Sequence, residues 1–164
     1  MPLPSGLILH TTNNMITIRR TTSENPDFQH LVVALDKVLA VLDGDDHAFY
    51  AQFNKTDHLK NVVVCYDGDE AVGCGAFRPY DNETVEIKRM YTKPENRGKG
   101  IAHSLLNELE TWAAELNYSH CILETGCKQI EAIGLYQKAG YHITPNYGQY
   151  ENIDNSVCMK KSIK

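Results

Sequence analysis

Apolar positions recur along the chain with two different periods, and the switches between them mark the elements. Met15–Arg20 alternates with Ile16 and Ile18 on one face, which predicts a short β-strand. Asn25-Pro26 then supplies a helix N-cap with proline at the first helical position. Phe28, Leu31, Val32, Leu35, Val38, Leu39 and Leu42 follow at helical spacing, and Asp43-Gly44 ends the helix. A second helical piece over about His47–Asn54 carries Phe49, Tyr50 and Phe53. Asn61–Tyr66 and Ala71–Phe77 read as strands joined by the hairpin signal Asp67-Gly68-Asp69. Asp81-Asn82 turns the chain into a third strand beginning at Val85, so three consecutive strands form an antiparallel meander.

Farther along, Ile101, Leu105, Leu109, Trp112 and Leu116 give a helix over about Gly100–Leu116, stopped by Asn117. Cys121–Glu124 is a strand that a right-handed βαβ connection places parallel to the one preceding this helix. Lys128–Ala139 is helical and capped by Gly140; Tyr141–Thr144 and Ser156–Lys161 are two last strands joined by a polar, aromatic loop. The order β-α-α-β-β-β-α-β-α-β-β predicts an α+β fold: a mixed, mostly antiparallel sheet flanked by about four helices. The expectation is one domain over residues 15–164, with residues 1–14 either a loose N-terminal extension or an upstream-start artefact.

At 164 residues the chain is long enough to bury a sizeable core. A formal net charge of −5 argues against a nucleic-acid partner, which asks for a basic face. Five cysteines without a C-x-x-C pair suit buried thiols in a reducing compartment, and the seven histidines lack ligand-like spacing, so no metal is expected. No apolar run approaches a membrane span, and the start has no signal-peptide pattern. The expectation is a cytoplasmic chain, with a homodimer left open as an alternative to a monomer. The acidic balance has one local exception. Lys88, Arg89, Lys93, Arg97 and Lys99 fall within twelve residues.

That exception coincides with the pattern carrying the chemistry. Val85–Ala102 reads as a strand, a turn closed by Pro94, a glycine loop and a helix start. Unpartnered N–H groups and the helix dipole make such a junction an anion site, and Gly98 and Gly100 let a phosphate approach the backbone. The loop lacks the Walker A pattern, and His103 stands where a dinucleotide fingerprint needs glycine or alanine. Arg97-x-x-Gly100-x-Ala102, following a Glu86-Ile-x-x-Met90-Tyr91 strand and Pro94, resembles the central motif of the GNAT (GCN5-related N-acetyltransferase) family. A second match, Ala132-Ile133-x-Leu135-Tyr136-x-Lys138-x-Gly140-Tyr141, lies one strand and one helix later, and the element order agrees.

The resemblance implies acetyl-CoA as cosubstrate, its pyrophosphate held by Arg97, Gly98, Lys99, Gly100, Ile101 and Ala102. The pantetheine arm would run along Met90, Tyr91 and Thr92 in an opening between two parallel strands. Alternation through Val85 and Ile87 slips at Met90, which either a β-bulge or an exposed Arg89 edge explains. Where the family often has asparagine at a pantetheine contact, this chain has the longer amide Gln129.

The reaction implied is acetyl transfer to a primary amine of a small molecule or protein. An ammonium with pKa about 10.4 must first lose a proton, so a base within reach helps. Glu86 is the candidate base, its competing role being a strand glutamate paired with Lys88. Tyr136 matches the tyrosine that protonates or positions the sulfur, and a strand N–H near Met90 is the oxyanion donor. Without a histidine near Cys127 or Cys158 in sequence, direct transfer is favoured over a cysteine nucleophile. Tyr147, Tyr150, Phe49 and Tyr50 would flank the acceptor. The alternatives are a non-catalytic acyl-CoA-binding or sensing module and, more remotely, a nucleotide-phosphate binder.

Overall fold

The computed structural model describes residues 15–53 and 58–164. The N-terminal extension and the end of the second helical piece lie outside them. Seven strands and four helices follow in order: β1 (Ile16–Thr21), α1 (Pro26–Asp43), α2 (His47–Ala51), β2 (Asn61–Asp67), β3 (Glu70–Pro79), β4 (Thr84–Thr92), α3 (Ile101–Glu115), β5 (His120–Gly126), α4 (Ile130–Lys138), β6 (His142–Thr144) and β7 (Ser156–Ser162). Short 3₁₀ turns lie before α2, after β4 and before β7. The expected element order holds, with boundaries moved by a few residues.

Local chemistry accounts for the boundaries. The Asn25 side chain accepts from the N–H groups of Asp27 and Phe28, with Pro26 behind it, so α1 starts where predicted. Asn117 takes the left-handed conformation just past α3, at φ 71°. Strands extend beyond their apolar runs because the ladder continues through residues whose side chains face water, such as Arg78.

The strands form one sheet in the order β1-β2-β3-β4-β5-β7-β6, with β4 at its centre. Only the β4–β5 pair is parallel. Both faces are covered, so β2 needs no polar face and reads as a continuous valine run. Val62 and Val64 meet Phe28, Leu31 and Leu35 of α1, whereas Val63 and Cys65 meet Leu105 and Leu109 of α3. Each such large side chain taken from water contributes about 1.5–3 kcal/mol.

Two irregularities of β4 shape the centre of the sheet. Against β3, Tyr91 faces Cys74 but Lys88 faces Ala76, so β4 carries one extra residue. That residue is Arg89, in the left-handed region at φ 59°. It is buried rather than lying on an exposed edge, which decides between the two readings of the broken alternation in favour of the bulge. Against β5, pairing runs from Thr84↔His120 to Glu86↔Ile122 and stops. Beyond that point the two parallel strands are unpaired with each other, and a cleft opens between them.

Candidate functional site

The cleft occupies this opening, is open to solvent and has a cavity volume of about 90 Å³. Ile87, Lys88, Arg89 and Met90 of β4 form one wall. Leu123, Glu124, Thr125 and Gly126 of β5 form the other, Gln129 and Tyr136 close the α4 side, and Leu35, Asp43 and Tyr50 close the α1–α2 side. Residue parity sorts these groups. Val85, Ile87 and Leu123 pack towards α3 and α4, while Glu86, Lys88 and Glu124 alternate to the α1 face.

At the mouth of the opening, β4 runs through a 3₁₀ turn, Pro94–Asn96, into the glycine loop and α3. Gly98 and Gly100 have φ of 78° and 79°, and a methyl group built on either would meet nothing within 4 Å. The loop therefore forms an open cradle at the N-terminus of a fifteen-residue helix. Arg97 Nε donates to the Thr92 carbonyl at 3.2 Å, folding the loop back on the strand end. The five basic residues adjacent in sequence divide in space. Lys88 and Arg89 turn inward, Lys93 pairs with Glu70 at 3.1 Å, and Arg97 and Lys99 stay exposed at the loop. The expected basic fringe is thus narrower than the sequence cluster, because a strand end and a turn separate its members.

Met90 inserts its side chain against Gly75, the β3 residue facing the bulge, where an added Cβ would lie 2.5 Å from Met90 Sδ. Tyr91 packs into the α1 core. Only the backbone of this segment is therefore left to meet a ligand in the cleft. Ile101, the first residue of α3, is buried, and Ala102 is partly exposed. Gln129 stands at the start of α4 with its side-chain nitrogen near Gly126.

Glu86 lies apart from the cleft lining. It is 1% exposed and takes Arg78 Nε at 2.7 Å and Tyr147 Oη at 2.6 Å, with Lys88 Nζ at 4.0 Å. Oε2 fastens the β6–β7 loop to the central strand, and Oε1 is taken by Arg78 of β3. A different carboxylate, Glu124, stands in the cleft. Its Oε1 is buried without a hydrogen-bond partner, and burial pushes its pKa up to about 7, against the opposing pull of Ser156 and Lys88. The sequence conceals Glu124 at the end of an apolar strand; its alternation with Leu123 is the available signal. Thr125 Oγ1, also buried and unpartnered, lies on the same wall.

Tyr136 reaches the opening from α4, and burial with the nearby Glu124 charge raises its pKa, so it remains a phenol. Tyr50 shares a 2.9 Å hydrogen bond with Ser156 and packs edge-on against Phe49. Tyr150 meets Tyr147 and Phe53 in the same way. The aromatic residues expected on one side thus form one cluster beneath β7. Cys65, Cys74, Cys121 and Cys158 are buried thiols, whereas Cys127 is exposed beside Asn155, contrary to the expectation for the set. Burial pushes Cys158 up to about 11. No cluster of three metal-ligating side chains occurs among the described residues, and no helix among them is long and apolar enough to cross a membrane.

The acetyltransferase (GNAT) family pattern matches residues 24–141, from the start of α1 through the end of α4. The chain belongs to the GNAT family. It is an acetyltransferase, with acetyl-CoA as donor. The N-acetyltransferase YjgM of Escherichia coli K12 is 30% identical over 157 residues, covering 88% of this chain and 93% of that protein. The IAA acetyltransferase of Azospirillum brasilense is 31% identical over 152 residues, covering 90% and 98%. A solved Klebsiella pneumoniae structure assigned as an acyl-CoA N-acyltransferase superposes with a TM-score of 0.78 at 29% identity, covering 93% of this chain and all of that one. A GNAT acetyltransferase of Elizabethkingia anophelis, solved with acetyl-CoA bound, has the same fold with a TM-score of 0.66 at 21% identity, covering 92% and 99%. The open glycine cradle, the unpaired strands and the orphaned Thr125 hydroxyl fit such a donor.

Proposed function

We propose that this GNAT acetyltransferase moves an acetyl group directly to a primary amine of a small molecule or protein, with Glu124 as base and Tyr136 as acid. The observation that carries the reading is the position of Glu124. It is a carboxylate on the cleft wall with one buried oxygen unpartnered, and a pKa of about 7 lets it take a proton near neutrality and give it up again. Glu86 is closed off from the cleft, so its role in this reading is to hold the Tyr147 loop.

In this arrangement Arg97–Ala102 hold the pyrophosphate through backbone N–H groups, and the backbone of Met90–Thr92 with Gln129 flanks the arm. The cosubstrate supplies an acetyl group already activated as a thioester. Glu124 takes the ammonium proton, the β4 backbone N–H near Met90 faces the carbonyl oxygen, and the Tyr136 phenol donates towards the departing sulfur. A thiol pKa of about 8.5 makes that departure easy, so Tyr136 has less to supply than Glu124. Cys158 is a poor nucleophile when burial holds it as a thiol, which supports direct transfer. Asp43 and Tyr50 on the open side border the path of an incoming amine. The buried thiols support a reducing, cytoplasmic setting. Thiol release from acetyl-CoA across a panel of amines tests the reading; tight binding with no turnover on any amine would favour a sensing module instead.

A further inference from the structure

Lys88 is the one lysine among the described residues that line the cleft. Its place follows from the strand: Glu86 and Lys88 share the α1 face of β4, and Arg89 breaks the alternation directly afterwards. The side chain is 9% exposed, and Nζ lies 4.0 Å from Glu86 Oε1. Glu124 and Arg78 also act on it through space, as does Arg89 beside it. Burial lowers its pKa, with Arg78 and Arg89 acting in the same sense and Glu86 and Glu124 opposing. A primary amine lines the same cleft as the carboxylate proposed to deprotonate an acceptor.

We infer that Lys88 Nζ is itself an acetyl acceptor, modified by the protein's own acetyl-CoA when no external amine fills the cleft. The inference rests on the proposed cleft reading. The N–C amide bond forms as the thioester C–S bond breaks. An ammonium and an acetyl thioester become an acetamide and a free thiol. One of the two protons lost from nitrogen goes to the sulfur by way of Tyr136, and the other reaches solvent by way of Glu124. Acetylation removes the cation facing Glu86 and adds bulk in the cleft, so the modified protein turns over external amines more slowly.

The test incubates the full chain with deuterium-labelled acetyl-CoA and no amine, followed by intact mass and peptide mapping, with acetyl-CoA binding measured by calorimetry in parallel. The expected result is one acetyl group at Lys88, added about tenfold or more faster than at any exposed lysine, as a lowered pKa and a bound donor both require. Labelling should be lost in Lys88→Arg, which keeps the charge, and slowed by any amine that is turned over. Binding of acetyl-CoA with labels confined to exposed lysines, or a rate unchanged in Lys88→Arg, overturns the inference and leaves the cleft reading standing. Absence of acetyl-CoA binding to the unmodified chain overturns both.

Discussion

Arg89 Nη2 donates to Asp36 Oδ1 at 2.5 Å, tying the bulged residue of the central strand to the middle of α1. The pair is asymmetric, with the guanidinium 2% exposed and the carboxylate 53% exposed. Arg89 Nε and Nη1 are already buried without partners, so Asp36 is the guanidinium's one side-chain counterweight among the described residues. Removing it strands a buried charge. Asp36→Ala is expected to cost about 1–3 kcal/mol in chemical denaturation. Because the bulge borders the β4–β5 opening, KM for acetyl-CoA should rise more than kcat falls. Adding Arg89→Gly to that variant should recover part of the stability. Glycine accepts a φ of 59° freely and leaves no charge behind. A double variant no more stable than Asp36→Ala would count against the tether.

The two carboxylates predict different pH profiles. If Glu124 is the base, kcat/KM rises through a limb near pH 7, where its pKa lies. Glu124→Gln should lower kcat by about 10²–10⁴-fold and abolish that limb. Glu86→Gln should keep the limb and change chiefly the acceptor KM, through the Tyr147 loop. A limb lost in Glu86→Gln and kept in Glu124→Gln would reverse the assignment.

Stability carries the same signature with a definite sign. The Glu124 pKa is raised from 4.5 to about 7 on folding, so between those values the folded state holds more proton than the unfolded one. Its contribution is therefore full below pH 4.5 and lost as pH rises through 7, an amount on the order of 3 kcal/mol. Denaturation midpoints of Glu124→Gln across that window should be flatter than those of the unmodified chain. Parallel curves would show that burial is relieved by water or by motion of the cleft.

Gly100→Asp puts a carboxylate in the open space of the cradle, where an added Cβ meets no protein atom within 4 Å. Charge repulsion with a pyrophosphate, added to left-handed strain, should abolish acetyl-CoA binding by calorimetry. Unchanged affinity would remove the cradle assignment.

Tyr136→Phe keeps the ring contact with Tyr141, at a centroid distance of 5.8 Å, and removes the phenol proton. A fall in kcat of about ten- to hundredfold with little change in KM is expected, smaller than for Glu124 because a thiolate leaves easily. Equal rates would return Tyr136 to a packing role.

Periodicity, caps and turn residues determined the element order here, because they act over neighbours in the chain. Asn25-Pro26 starts α1 through its own side chain, and the valines of β2 require a sheet covered on both faces whatever lies beyond. The glycine loop, too, was legible from local spacing. Tertiary structure decided what distance along the chain conceals. Glu86 is spoken for by Tyr147, sixty-one residues away, and by Arg78 on the neighbouring strand. Glu124 became a base candidate only because β5 leaves β4 after Ile122, placing its carboxylate in a cleft with Oε1 unpartnered. A side chain's availability is set by burial and by partners from other elements, and no local pattern encodes either.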